Sequence, residues 1–323
     1  MDSDPRAVVV PRLDPDGDGP FDLGKIVDHL RGARAKWRTS QQRPREVDRR
    51  ELPSSETMAQ IIDGLRGALF PMRLGPPDLR QESEDYYVGH TLNTVLHALH
   101  AQVRLELRYK ARHNGDRQGD IEARALEVVR EFGAALPAIR SLLDSDVLAA
   151  FQGDPAARSV DEVLLCYPGV NAMIHHRIAH QLYLVDVPLL ARLVAELAHG
   201  ATGIDIHPGA RIGSGFFIDH GTGVVVGETA EIGRNVRLYQ AVTLGAKRFV
   251  TDDDGHLQKG GARHPVVEDD VVIYAGATIL GRVTIGHGST IGGNVWLTRN
   301  VPPGSRITQA STRDDAVVEG AGI

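Results

Sequence analysis

An α+β chain divided by segment, an all-α helical domain followed by a parallel β-helix of hexapeptide repeats, is the architecture this sequence predicts. Three observations predict it. Of the 35 glycines, 19 lie in residues 201–305. Aliphatic residues recur every six positions across that same stretch. Before residue 200 the apolar residues instead follow a helical period. The expected boundaries are a poorly ordered arm over 1–50, a helical domain over 51–200, the coil over 201–305 and a flexible tail over 306–323.

The arm mixes Asp, Gly, Pro and Arg with little periodicity, apart from a short helical pattern near Ile26–Trp37. In the helical domain, Pro53-Ser54-Ser55-Glu56 is a helix start, followed by Met58, Ile61, Ile62, Leu65 and Leu69 at helical spacing. Val88, Leu92, Val95, Leu96, Leu99 and Val103 form a second stripe; Leu126, Val129 and Phe132 form a third. Asp144 or Ser145 is expected to cap a short helix reaching Phe151, Pro168 to open one running to Leu184, and Val187–Ala198 to be the last. His90, His97, His100, His175, His176 and His180 lie here without an HExxH arrangement, so they read as packed or surface groups and no metal is expected.

From Ile206 the period becomes six: Ile206, Ile212, Ile218 and Val224, then after a slip of two Val226, Ile232, Leu238 and Leu244. An interruption follows, and Val267, Ile273, Ile279, Ile285, Ile291 and Leu297 resume the period. A helix repeats at 3.6 and a plain strand at 2; a strict six marks a coil whose flat sides are six residues long, with 18 residues per turn.

Composition excludes several classes. A formal net charge of −6 argues against general nucleic-acid binding. No apolar run approaches the ~20 residues that span a bilayer, and the N-terminus carries no signal-peptide core. The one cysteine, Cys166, excludes an intrachain disulfide, so a cytoplasmic protein is expected.

A solenoid contacts only its neighbouring turns and offers no deep pocket, so function is expected in a groove between coils of adjacent subunits. Asp219-His220 follows an inward aliphatic and must sit at a corner. Asp205 and His220 are 15 residues apart, nearly one coil, which is expected to bring them close on successive turns. A carboxylate beside an imidazole is what a general base needs.

The motifs GIDIHPGA, IDHGTGVVVGETA, VTLGAK, ARHP and IYAGATILG resemble those of serine O-acetyltransferases of the left-handed β-helix type, over about residues 140–305. The resemblance implies the left hand of the coil, acetyl-CoA as co-substrate and L-serine as acceptor. It implies His220 as catalytic base and Asp205 as its orienting carboxylate. Asp154 and Asp219 would hold the serine amine, and Arg263 and His264 its carboxylate. Gly245, Ala246, Ala275 and Gly293 would line the coenzyme A surface. A homotrimer or a dimer of trimers is implied, as is docking of the C-terminal Ile323 on O-acetylserine sulfhydrylase. The loop after Gly245 and the helical domain are longer than in short members, Thr290 replaces a lysine found in some, and Asn171 replaces a common histidine. These departures suggest the long-form branch. Transfer to another amino-acid hydroxyl or amine is the alternative reading. A carbonic anhydrase on such a coil would need three metal-ligating histidines in a pattern that His207, His220, His264 and His287 lack.

Overall fold

The computed structural model describes residues 21–40, 52–114, 119–247 and 260–309. The rest of the expected arm, the inserted loop over 248–259 and the tail from 310 to Ile323 lie outside the described residues; residues 306–307, expected in the tail, instead form the last strand of the coil, paired with Thr290–Ile291. The chain divides into two compact units, residues 1–51 and 52–323. In the first, α1 (Leu23–Ser40) exposes Leu23, Val27, Leu30 and Trp37.

In the second unit most helices begin where a side chain or a proline can satisfy their start. Ser54 caps α2 (Ser55–Leu69) by accepting the Thr57 amide at 3.3 Å. Phe70 leads into α3 (Pro71–Leu74), which carries proline in its first turn; the long α4 (Glu84–Asn114) follows. Asp120 caps α5 (Ile121–Gly153) through the Ala123 amide at 3.0 Å. Ser159 caps α6 (Val160–Cys166), and prolines open α7 (Pro168–Leu184) and α8 (Pro188–Thr202). Buried Glu106 on α4 accepts the Leu189 and Leu190 amides at 3.0 and 2.8 Å, supplying the α8 cap that its own sequence lacks.

The expected short helix at Asp144 or Ser145 is corrected: both lie inside α5, which continues past Pro137. Its buried stripe of Leu136, Ile139, Leu143, Val147 and Ala150 keeps helical spacing throughout and packs in the common core. Ser145 accepts the Gly215 amide at 3.0 Å instead of capping.

The coil then winds through β1 (Asp205–Ile206), β2 (Arg211–Ile212), β3 (Phe217–Ile218), β4 (Val225–Val226), β5 (Glu231–Ile232), β6 (Arg237–Leu238), β7 (Thr243–Gly245), β8 (Val266–Val267), β9 (Val272–Ile273), β10 (Thr278–Leu280), β11 (Thr284–Ile285), β12 (Thr290–Ile291), β13 (Trp296–Leu297) and β14 (Arg306–Ile307). All pairings are parallel and give three faces: β1-β4-β7-β10-β13, β2-β5-β8-β11 and β3-β6-β9-β12-β14. The six-residue period supplies the buried side chain of each strand, from Ile206 to Leu297. Fully burying one such side chain is worth roughly 1.5–3 kcal/mol.

The register explains the slip of two. Ile206 stacks under Val226, Ile212 under Ile232 and Ile218 under Leu238, so the first turn is two residues longer than the next. Val224 is buried just before β4 and starts no side of its own. The extra length sits in the corner after β3, where His220, Gly221 and Gly223 all have positive φ, at 60°, 92° and 80°.

The helices are fastened to this first turn by a buried ion pair. Arg177 on α7 binds Asp146 on α5 at 3.0 Å and donates to the Ile212 and Gly213 carbonyls; Asp146 accepts the Phe216 amide at 2.9 Å. Gly169, near the start of α7, lies so close to the coil that a Cβ would stand 2.3 Å from the Ile218 carbonyl oxygen.

Candidate active site

Two edges of the prism hold most of the expected site residues. The first edge, where the third face turns into the first, holds residues 219–224, 239–242, 274–277 and 292–295 on successive turns. Its backbone is laddered: the Ala241 amide donates to the Thr222 carbonyl at 2.9 Å, Gly276 to Gln240 at 3.0 Å and Asn294 to Ala275 at 2.8 Å. The second edge, where the first face turns into the second, holds residues 227–230 and the segment leading into β8.

On the first edge, His220 is 73% exposed and its Nε2 lies 3.8 Å from Asp219 Oδ1. Asp219 is nearly buried, and its other oxygen accepts from Arg237 Nη2. Arg237 also donates to the Gly153 carbonyl at 2.7 Å, which brings the end of α5 to this corner. The next residue, Asp154, accepts the Tyr167 hydroxyl at 2.5 Å and the Ala156 amide at 2.8 Å. The Tyr167 bond, then that amide, hold the Asp154 carboxyl below the usual carboxylate range; the same bond pushes the Tyr167 phenol up to about 12. The structure thus brings Asp154 to the adjacent pair Asp219 and His220, from which it is far away in sequence.

Asp205 does not join them within one chain. Val225 stacks over Asp205, and His220 lies at the corner before β4. The Asp205 carboxylate lies instead with Glu196 and His199, their ligand atoms within 4.8 Å of one another. No hydrogen bond or ion pair among the described residues links it to His220.

On the second edge, His264 is buried to 7% exposure and built into the corner. Its Nδ1 accepts the Thr229 amide at 3.1 Å, so the ring proton sits on Nε2. Thr229 Oγ1 in turn accepts the Arg263 amide at 2.9 Å and the His264 amide at 3.2 Å. Burial, then the charge of Arg263, push the His264 imidazole down to about 4, so it is a neutral donor at neutral pH. Arg263 binds Glu228 at 2.6 Å. Burial alone would raise the Glu228 carboxyl; Arg263, His207 and the Tyr183 hydroxyl, which donates to it at 3.2 Å, outweigh burial and bring it down.

The expected coenzyme surface divides between the edges. Ala275 and Gly293 stack on the first edge, where a Cβ at Gly293 would stand 3.2 Å from the Ala275 carbonyl oxygen. Gly245 ends β7 and Ala246 begins the loop of the second edge. Cys166 is exposed at the last position of α6.

Sequence reasoning alone misses Tyr167, Glu228, Thr229 and Arg237. Glu228 and Thr229 lie inside the VVVGETA stretch, where the repeat marks only the inward aliphatics and the corner glycine. Arg237 is legible as the outward neighbour of inward Leu238, but its partners are 84 and 18 residues away.

A model of the bacterial transferase hexapeptide (six repeats) matches residues 264–299. A plasmid-encoded serine acetyltransferase of Synechococcus elongatus is 57% identical over 275 residues, covering 84% of this chain and 86% of its own length. Serine acetyltransferase 1 of Entamoeba histolytica, solved in complex with L-cysteine, is 36% identical with a TM-score of 0.66 and covers 79% of this chain and 87% of that one. Soybean serine acetyltransferase complexed with serine is 32% identical with a TM-score of 0.50, covering 80% and 98%. The coil is a left-handed parallel β-helix as in this group, and with such identity over most of its length the chain belongs to the serine acetyltransferase family.

Proposed function

We propose that this chain transfers the acetyl group of acetyl-CoA to the hydroxyl of L-serine, giving O-acetylserine for cysteine biosynthesis. One observation carries the reading: the two edges have opposite polarity. The first offers two carboxylates, sharing Arg237, beside an exposed imidazole; the second offers a guanidinium, held by Glu228, and a neutral imidazole N–H. An amino acid bearing a hydroxyl matches both, with its ammonium toward Asp154 and Asp219 and its carboxylate toward Arg263 and His264. A guanidinium suits a planar carboxylate.

His220 takes the hydroxyl proton. The oxygen then attacks the thioester carbonyl, the C–S bond breaks, and the imidazolium protonates the leaving thiolate. Ala275 and Gly293 on one edge, with Gly245 and Ala246 on the other, leave the backbone uncovered where the pantetheine arm would lie.

The two edges border the same face of one prism, so one chain does not close the site. Three copies with their β1-β4-β7-β10-β13 faces toward a common axis would set the first edge of each against the second edge of the next. We read the enzyme as such a homotrimer, alone or paired as a dimer of trimers, in the cytoplasm. Asp205 lies on that inward face, and its assignment as orienting carboxylate depends on a neighbouring copy bringing it to His220. Docking of Ile323 on O-acetylserine sulfhydrylase is part of the same reading.

The test is release of coenzyme A from acetyl-CoA with a panel of amino acids, including homoserine, threonine and amine-only acceptors. Serine should give the highest kcat/KM. Preference for another hydroxyl or for an amine would favour the alternative transferase, and no release with any acceptor would defeat an acetyltransferase altogether.

A further inference from the structure

Arg237 stands on the outward side of β6 with its guanidinium between two rings, 4.8 Å from the centroid of Phe217 and 4.6 Å from that of Tyr239. Two rings packed against it add to what holds the group in place. Its two terminal nitrogens reach different elements: Nη1 donates to the Gly153 carbonyl at 2.7 Å and Nη2 to Asp219. Its Nε is buried without a partner, so the side chain is held by those two bonds and by stacking.

Both bonds act on the group that faces a bound amine. Gly153 is the last residue of α5, and its carbonyl is among those a helix end leaves unsatisfied. Fixing that carbonyl fixes the start of Asp154. A Cβ on Gly153 would lie 2.9 Å from the Phe217 ring, so the helix end is pressed against the coil at this point. The bond to Asp219 holds one carboxylate oxygen and leaves Oδ1 on the side of His220. The charges add up as well. Asp154 and Asp219 with Arg237 leave one net negative charge in the corner, which matches one ammonium ion.

We propose that Arg237 is a positioning residue for the amino-acid substrate, locking Asp154 and Asp219 at one separation and reducing their joint charge to that of a single ammonium's partner. This rests on the serine reading above. The groups facing His220 in this corner are Asp219 on its own turn, Asp154 after α5, Tyr167 before α7 and Arg237 on β6. Removing the arginine takes away the one fixed cation among them.

The experiment compares the full-length wild type with Arg237→Met and Arg237→Lys. L-serine binding is measured by calorimetry, and steady-state kinetics are measured in both substrates across pH. The methionine variant keeps an apolar stem between the rings and loses both donors. Its serine Kd should rise at least about tenfold and kcat/KM for serine should fall ~10–10²-fold, the scale of a mispositioned reactant. The acetyl-CoA KM should stay within about twofold, and the acid limb of the kcat/KM profile should move to higher pH. Lysine should recover part of the serine affinity and leave that limb in place. Methionine binding serine as the wild type does overturns the proposal. So does a loss that is equal in both substrates, unrescued by lysine and without movement of the pH profile, which is what a purely structural clamp would give. A wild type that binds no serine overturns both this proposal and the functional reading. A wild type that binds and acetylates serine upholds the functional reading, and the two variants then test Arg237 alone.

Discussion

The molecule presents two histidines on neighbouring edges of one prism, and their surroundings differ in almost every respect. His220 is 73% exposed, in left-handed backbone at φ 60°, with a carboxylate 3.8 Å away. His264 is 7% exposed, its Nδ1 is filled by a backbone amide, and burial holds it neutral. An imidazole that must accept and return a proton needs an open nitrogen and room to exchange charge. An imidazole that must donate one hydrogen bond in a constant state is best served by burial and a fixed tautomer. The same side chain is thus given two different characters by its environment alone, which the functional reading assigns to two tasks.

The sharpest way to break this comparison is His220→Ala. It should lower kcat at least ~10²-fold, the low end for a lost general base, with an unchanged thermal melt because the side chain packs against little. Near-normal turnover would remove His220 from the chemistry. Gly227→Ala comes next. A Cβ there would lie 2.0 Å from His264 Cδ2, so the ring must leave its place. The expected result is a fall of ~10²-fold in kcat/KM for serine, consistent with an ångström of misplacement, and an acetyl-CoA KM close to normal. If both constants move together, the second edge holds more than the serine carboxylate.

Arg263→Lys should be milder. It keeps the charge and loses the fork, so the serine KM should rise roughly tenfold, the cost of about one charge-assisted hydrogen bond. Titration provides the smallest effect. His264 has a folded-state pKa of about 4, below the unfolded value near 6.5. Its neutral form therefore favours the fold above pH ~6.5, and that contribution is lost as pH falls toward 4. Burial shifts His175, His176, His180 and His207 the same way. The melting temperature should decline steadily from pH 7 to pH 5, and the His264 proton resonances should not titrate in that range. A flat melting curve would contradict the burial argument for these rings.

How much of this the sequence reveals depends on the range of the interaction. The period of six survives because each inward position stacks on the next turn and tolerates little but an aliphatic, so Ile206 to Leu297 read directly as a coil. The corner at Asp219-His220 is legible for the same reason: glycines crowd it. Its length is not. Two added residues put Val225 rather than residue 223 above Asp205, and a separation of 15 places His220 on the preceding corner in either case. Ser145 misleads as a cap because a hydroxyl inside a helix looks the same in sequence as one at its start; its partner, the Gly215 amide, is 70 residues on. Arg237 and the Glu228–Arg263 pair depend on contacts between turns or between coil and helix, and nothing local marks them.

The contact between Gly227 and His264 also constrains how this site can change over evolutionary time. The missing side chain at 227 is the space the ring at 264 occupies, so the two positions behave as one character. A larger residue at 227 would displace the ring at 264 in the same step. On the serine reading, every single-step path away from the pair then passes through weaker substrate binding. Change at this corner is therefore expected to need coupled substitutions at 227 and 264.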